Sequence, residues 1–224
     1  MTVVHNPKVV RRPRGRPQVR LDEETRQLIV TAARHEFNAN GYAGASMARV
    51  AARAGLSTKT MYRLIPTKAD LFRSIISERI ARFVLDVDEE ALDKLPVEKA
   101  LEHLLTAYGT LALEQDTVST FRLVLAECDR FPEIATTFSE LAINRTRQTM
   151  ESWLKRQRKQ GRIELDDVSM SAGTLRGMMA MEPQRAMMLG QREAPDRAEI
   201  AKRARYCASI FLNGCRPQRQ DAIP

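Results

Sequence analysis

The chain has 224 residues, 43% hydrophobic and only 5% aromatic, with a formal net charge of +8, which supplies a core for one large domain or two small ones. No apolar run approaches the roughly 20 residues of a membrane span, and the cationic N-terminus lacks the apolar stretch of a secretory leader. Three widely spaced cysteines, Cys128, Cys207 and Cys215, predict reduced thiols and a cytoplasmic protein.

Residues 1–20 hold Lys8, Arg11, Arg12, Arg14, Arg16 and Arg20, no acid and three prolines, which reads as a disordered basic arm. Six of the eight net charges therefore sit at one end, which points to a polyanion there rather than to a membrane, since the arm has no apolar face to insert. Within it, Pro13-Arg14-Gly15-Arg16-Pro17 is similar to the core of an AT-hook. The prolines keep such a segment extended, the glycine lets it lie deep, and Arg14 and Arg16 would follow the negative potential of an A/T-rich minor groove. The alternative is a solubilising tail.

Asp22 starts the first predicted helix, with Glu23 and Glu24 on its N-terminal dipole; Leu28, Ile29, Ala32, Ala33 and Phe37 form its apolar face, and Asn40-Gly41 stops it. Ser46 then caps a short helix with Met47, Val50, Ala51 and Ala54 inward. Gly55 breaks the pattern, because glycine reaches positive φ without steric cost. Ser57 caps a third helix that turns Met61 and Leu64 inward and Thr58, Lys59, Thr60, Tyr62 and Arg63 outward.

Residues 21–67 thus read as a three-helix, helix-turn-helix DNA-binding domain, against the alternative of an ordinary helical hairpin. Thr58, Lys59 and Thr60 are the base-edge candidates, near the start of the recognition helix. Ser46, Ser57, Tyr62, Arg63 and Lys68 are assigned to phosphates, with helix N-termini assisting.

Thr67 and Asp70 form a capping box for a long helix predicted from Lys68 towards Leu92. Pro96 opens a helix through Leu111, another covers about Val118 to Cys128, and Phe131-Pro132 begins one reaching Gln160, where Gly161 caps it and Lys155, Arg156, Arg158 and Lys159 offset its dipole. Segments Asp166–Gly190 and Asp196–Asn213 complete the series. No period-2 alternation occurs, so the fold is expected to be all-α, about nine helices in all, with 68–213 a ligand-binding and dimerisation domain and 214–224 a flexible tail.

In that second region His103, Tyr108, Phe121, Leu125 and Cys128 are candidates to line a bundle interior, each with a plain core role as the alternative. Met178 and Met181 lie in a methionine-dense helix, whose pliable thioethers suit a pocket, a repacking interface or ordinary core alike. Ile200, Ala204, Cys207, Ala208 and Phe211 share one face of the last helix, where small and large residues alternate as close helix packing between subunits requires; packing within the chain is the alternative. No His/Cys ligand cluster accompanies Cys207 and Cys215, so no metal is expected and a redox role for these thiols is a minor alternative.

Several local sequences together carry a resemblance: Ala33 and Phe37 with Gly41-Tyr42, the run Val50-Ala51-Ala52-Arg53-Ala54-Gly55-Leu56-Ser57, then Met61-Tyr62-Arg63 and Pro66-Thr67-Lys68. Residues 26–75 resemble the TetR/AcrR family of transcriptional regulators, departing from its common pattern at Leu64 and Ile65, where an aromatic or His followed by Phe is usual. Phe121-Arg122-Leu123-Val124-Leu125-Ala126-Glu127 with Arg130-Phe131-Pro132-Glu133 looks like the regulatory domain of AefR-type members. The resemblance implies a homodimer paired through the last two helices, a cavity for a small-molecule effector, and repression of double-stranded operator DNA that is relieved when the cavity fills. A ligand-free architectural DNA-binding protein is the alternative. An enzyme is not expected: three histidines without catalytic partners and no phosphate-binding or dinucleotide glycine pattern support none, and no cofactor is implied.

Overall fold

The computed structural model describes residues 22–214, and every element in that span is helical. Three helices form an N-terminal head: α1 (Asp22–Gly44), α2 (Met47–Arg53) and α3 (Thr58–Leu64). Helix α4 (Lys68–Asp86) leads from the head into a bundle made of α5 (Glu89–Asp93), α6 (Val97–Ala112), α7 (Gln115–Glu127), α8 (Pro132–Phe138), α9 (Arg145–Lys159), α10 (Val168–Arg176), α11 (Glu182–Met188) and α12 (Arg197–Gly214). Both α8–α9 and α10–α11 are continuous rods, each joined by a π-helical run, Ser139–Asn144 in the first and Gly177–Met181 in the second. Arg14, Arg16 and Cys215, with the basic arm and the C-terminal tail, lie outside the described residues.

The head follows its apolar period. Ile29, Ala32, Ala33 and Phe37 are buried, and only Leu28 departs, lying 38% exposed on the rim of the stripe. Gly41 ends regular α-geometry at φ 68°, where any side chain would meet left-handed strain. Thr67 and Asp70 cap α4 as expected: the Thr67 hydroxyl accepts the Asp70 N–H at 3.0 Å and donates to the Asp70 carboxylate at 2.7 Å.

The long helix from Lys68 does not reach Leu92. It stops at Asp86 because the Asp88 carboxylate accepts the N–H groups of Glu90 (3.0 Å) and Ala91 (3.2 Å), offering the backbone a local alternative and starting α5 afresh.

One apolar cluster fills the bundle around the fully buried Trp153; a second runs from α1 through Met61, Phe72 and Ile76 to Val124, Ile134 and Phe138. The head core therefore continues into α7 and α8 rather than ending where α4 begins. Ion pairs reinforce the join: Arg34 on α1 meets Glu78 on α4 at 2.8 Å, and Arg79 on α4 meets Asp116 on α7 at 2.8 Å.

The last helix packs differently from expectation. Ile200, Ala204, Cys207, Ala208 and Phe211 are all buried within the same chain, where α12 lies along α6. Gly109 permits this approach, since a Cβ there would meet the Ile200 side chain at 3.1 Å. Alternation of small and large residues served close packing inside the subunit. The outward face of α12 instead carries Tyr206 (69% exposed) and Ile210 (45%), one helical turn apart.

Candidate functional site: the helix-turn-helix surface and an interior cavity

Val50 and Ala51 seat α2, Gly55 makes the turn at φ 70°, and the Leu56 N–H returns to the Ala51 carbonyl at 2.9 Å. The Ser57 hydroxyl caps α3 by accepting the Thr60 N–H at 3.1 Å, and lies 2.9 Å from the Thr60 hydroxyl. Met61 and Leu64 anchor the helix inward, while Thr58, Lys59, Tyr62 and Arg63 are exposed. Thr60 is half-buried and hydrogen-bonded to Ser57, so Thr58 and Lys59 are the better placed of the three base-edge candidates.

Two phosphate candidates are held within the chain. Arg63 grips the Asp22 carboxylate at 2.8 and 3.0 Å, and that hydrogen bond holds the Asp22 carboxyl below its ordinary range. Lys68 donates to the carbonyls of Tyr42 (2.7 Å), Ala43 (3.2 Å) and Ala45 (3.3 Å) and lies 4.9 Å from the Tyr42 ring centre. Three acceptors match the three N–H donors of an ammonium group, so Lys68 closes the C-terminal end of α1.

Ser46 begins α2 without the expected side-chain cap, which leaves its hydroxyl outside the capping pattern. The buried Glu36 carboxylate takes over, accepting the Ser46 N–H at 3.0 Å and Arg49 Nε at 2.7 Å. Burial pushes the Glu36 pKa up, but these bonds outweigh it and hold it below the usual carboxylate range. A carboxylate beside an apolar stripe was the available sequence signal for this role.

A second carboxylate joins head and bundle. Glu127, at the end of α7, accepts the Tyr42 and Ala43 N–H groups, and the Tyr42 hydroxyl donates to Glu133 at 3.3 Å. Gly41 allows this approach, because a Cβ there would stand 2.6 Å from the Glu127 carboxylate. Phe131 packs edge-on against Tyr42 at 5.0 Å between ring centres. The partners are 85 residues apart, so nothing local in the sequence announces them.

Inside the bundle lies a cavity of about 500 Å³, in the size range of small-molecule sites. Of the expected lining residues, Tyr108, Phe121, Leu125 and Met181 line it, and Phe121 stacks on Phe138 at 5.3 Å. His103 does not: it is exposed, with its ring near the Asp86 carbonyl at 3.2 Å, because α6 turns that position outward. Cys128 caps the end of α7 away from the cavity, its thiol 3.7 Å from the Leu125 carbonyl. Met178 packs against the bundle core, its carbonyl held by Arg203 at 2.8 Å.

Both π-helical runs contribute to the wall, through Ala142 and Ile143 in one and Gly177, Ala180 and Met181 in the other. Such turns are rare in helices and recur at functional sites.

Sequence reasoning missed the two charged side chains at this wall, Arg79 and Arg176. Arg79 interrupts the apolar run between Ile76 and Ile80, a signal that was available. Its guanidinium is balanced by Asp116, Glu114 and the Thr117 hydroxyl at 2.8, 3.3 and 2.7 Å, while burial still draws its pKa down.

The thiols offer little chemistry. Cys207 is buried, and desolvation pushes its pKa up despite the nearby Arg203, so the reactive thiolate is disfavoured. Among the described residues no cluster of His, Cys, Asp and Glu fits a metal, and no helix is long and apolar enough to cross a membrane.

Comparison with known proteins accords with this geometry. Residues 99–214 match the AefR-like transcriptional repressor C-terminal domain, and residues 29–75 match the bacterial regulatory proteins of the tetR family. No curated relative matches by sequence. A structure assigned to the TetR family from Mesorhizobium loti MAFF303099 aligns with a TM-score of 0.75 at 23% identity, covering 88% of this chain and 98% of that one. The flavonoid-responsive regulator FrrA aligns at 0.68 and 25%, covering 88% and 99%. The regulator FadR from Bacillus subtilis, in complex with stearoyl-CoA, aligns at 0.68 and 17%, covering 84% and 98%.

Proposed function

The chain belongs to the TetR family of transcriptional regulators, and from that premise we propose that it is a homodimeric repressor released from operator DNA by a small, mostly apolar effector. The helix-turn-helix supports the DNA side. Thr58 and Lys59 read base edges, and Ser46, Ser57 and Tyr62 meet phosphates, joined by Arg63 when it exchanges Asp22 for a phosphate. Arg14 and Arg16 reach the adjoining minor groove.

The observation that carries the effector reading is the position of the cavity. Its wall includes α7, whose far end holds the head through Glu127, and α4, which continues from the head. A ligand acts only through a difference in its affinity for two conformations, and a wedge between α7 and α4 strains the joint the head depends on.

The dimer contact is assigned to the outward face of α12, at Tyr206 and Ile210. A two-fold dimer then reads a pseudo-palindromic operator. FrrA is described as flavonoid-responsive, which places planar aromatic compounds first among effector candidates.

The test is operator binding by fluorescence anisotropy against a panel of flavonoid, aromatic and long-chain apolar compounds. At least one should weaken binding about tenfold or more, within the usual range of allosteric coupling. If none does, and the protein still binds DNA, the ligand-free architectural reading replaces this one.

A further inference from the structure

Arg176 distinguishes this cavity from a simple apolar pocket. Its side chain reaches the wall at the junction of α10 with the second π-helical run, and its guanidinium lies 5.6 Å from the Tyr108 ring centre. Its Nε is buried without a hydrogen-bond partner, and among the described residues no carboxylate pairs with it. The other charged group of the wall, Arg79, has Asp116, Glu114 and Thr117 as partners. Arg176 is half-buried, and a guanidinium drawn partly out of water beside an apolar wall, with no counter-charge, favours an acceptor that reaches it from the cavity.

A dipole role does not account for it. The chain runs on helically from α10 through Gly177–Met181 into α11, so Arg176 faces no helix C-terminus with open carbonyls. Stacking on Tyr108 fixes the plane of the guanidinium but leaves its in-plane donors for an acceptor.

We propose that the effector is an amphipathic anion: an apolar, aromatic-sized body carrying a carboxylate, sulfonate or ionised phenol that pairs with Arg176. This rests on the effector reading of the cavity. The body lies against Phe121, Phe138, Leu125 and Met181, and the acidic group is taken by the guanidinium beside Tyr108. Bidentate pairing with a planar oxyanion suits arginine, and a lysine there would meet the same anion as a point charge only.

The test uses two fluorescent probes with one aromatic body, 8-anilinonaphthalene-1-sulfonate and the uncharged N-phenyl-1-naphthylamine, titrated into the full-length protein. The sulfonate should bind the wild type at least tenfold more tightly than the neutral probe. Arg176→Gln should remove most of that preference while changing the neutral probe less than about threefold, and Arg176→Lys should restore part of it. The wild-type comparison stands by itself if a variant fails to fold.

Equal binding of both probes to the wild type, or a preference that survives in Arg176→Gln, overturns the anion proposal and leaves the cavity reading in place. Ala142→Trp, which adds bulk at the cavity wall without adding charge, should abolish binding of both probes. If both probes bind that variant as they bind the wild type, the cavity is not their site, and the effector reading itself falls.

Discussion

Glu127 accepts the backbone N–H of Tyr42 at 2.6 Å and that of Ala43 at 2.8 Å. The last residue of α7 thereby completes the end of α1, on the same element as the cavity residues Phe121 and Leu125, within about two turns of helix of the first and about half a turn of the second. Glu127→Ala leaves two amide donors without their acceptor and should lower stability by about 1–3 kcal/mol per unsatisfied group that stays dry. It should also uncouple the sites, so that effector binding no longer weakens operator binding. Chemical denaturation and anisotropy titrations with and without effector measure both, and intact coupling in a folded variant would remove Glu127 from the route.

Lys68→Ala separates two roles for this residue. Since the ammonium is fully engaged by three carbonyls, the variant should lose about 1–3 kcal/mol of stability with little change in the salt dependence of DNA binding. A slope of log affinity against log salt flatter by about 0.9 per contact would instead return Lys68 to the phosphates.

Base readout is expected from Thr58 and Lys59. Alanine at either position should relax discrimination at one or two operator positions by about 1–3 kcal/mol each, measured with single-base operator variants. Uniform weakening across all sequences would mark them as positioning contacts only.

Subunit pairing has a two-sided test. Ile210→Glu places a charge on the outward face of α12 and should yield a folded monomer by light scattering, with operator affinity lost. Phe211→Glu places the charge inside the subunit, where Phe211 is 8% exposed, and should unfold the chain instead. A dimeric, DNA-competent Ile210→Glu would move the interface elsewhere.

Tyr42 predicts an alkaline limit for the head. Burial, together with the neighbouring Glu133 and Glu127 carboxylates, raises its phenol to about 12. The neutral form is therefore the folded form: its contribution is complete below pH 10 and is lost as pH rises from about 10 to about 12. The shift corresponds to roughly 2–3 kcal/mol. Denaturation midpoints across that range should fall more steeply for the wild type than for Tyr42→Phe, and parallel curves would show that the phenol does not ionise with unfolding.

What could be read from the sequence was what short-range chemistry decides. Gly55, Ser57, Met61 and the Thr67–Asp70 pair specify their own turn, cap or face, and the head follows them. Tyr108, Phe121, Leu125 and Met181, picked out by residue type, lie at the cavity wall. Met178 and Met181 share the methionine density of their helix, and density alone does not say which methionine faces the cavity; Met181 lines it and Met178 packs against the bundle core. The buried face of α12 was read correctly as a packing face and assigned to the wrong partner, since a periodic stripe does not say whether its complement lies in the same chain. Arg176 and Glu127 draw their roles from partners far away in sequence.

Each π-helical run holds one residue more than α-geometry would place in the same turn. The halves of a rod are therefore phased against each other by about one residue, or about 100° of rotation. Removing a single residue from Ser139–Asn144 would preserve a continuous hydrogen-bonded helix yet swing Met150, Trp153 and Leu154 off the core. The surplus residue works as a keyway that fixes the rotational setting of α9. Length at that point is consequently more constrained than residue identity, and a one-residue deletion there should harm the fold more than most substitutions.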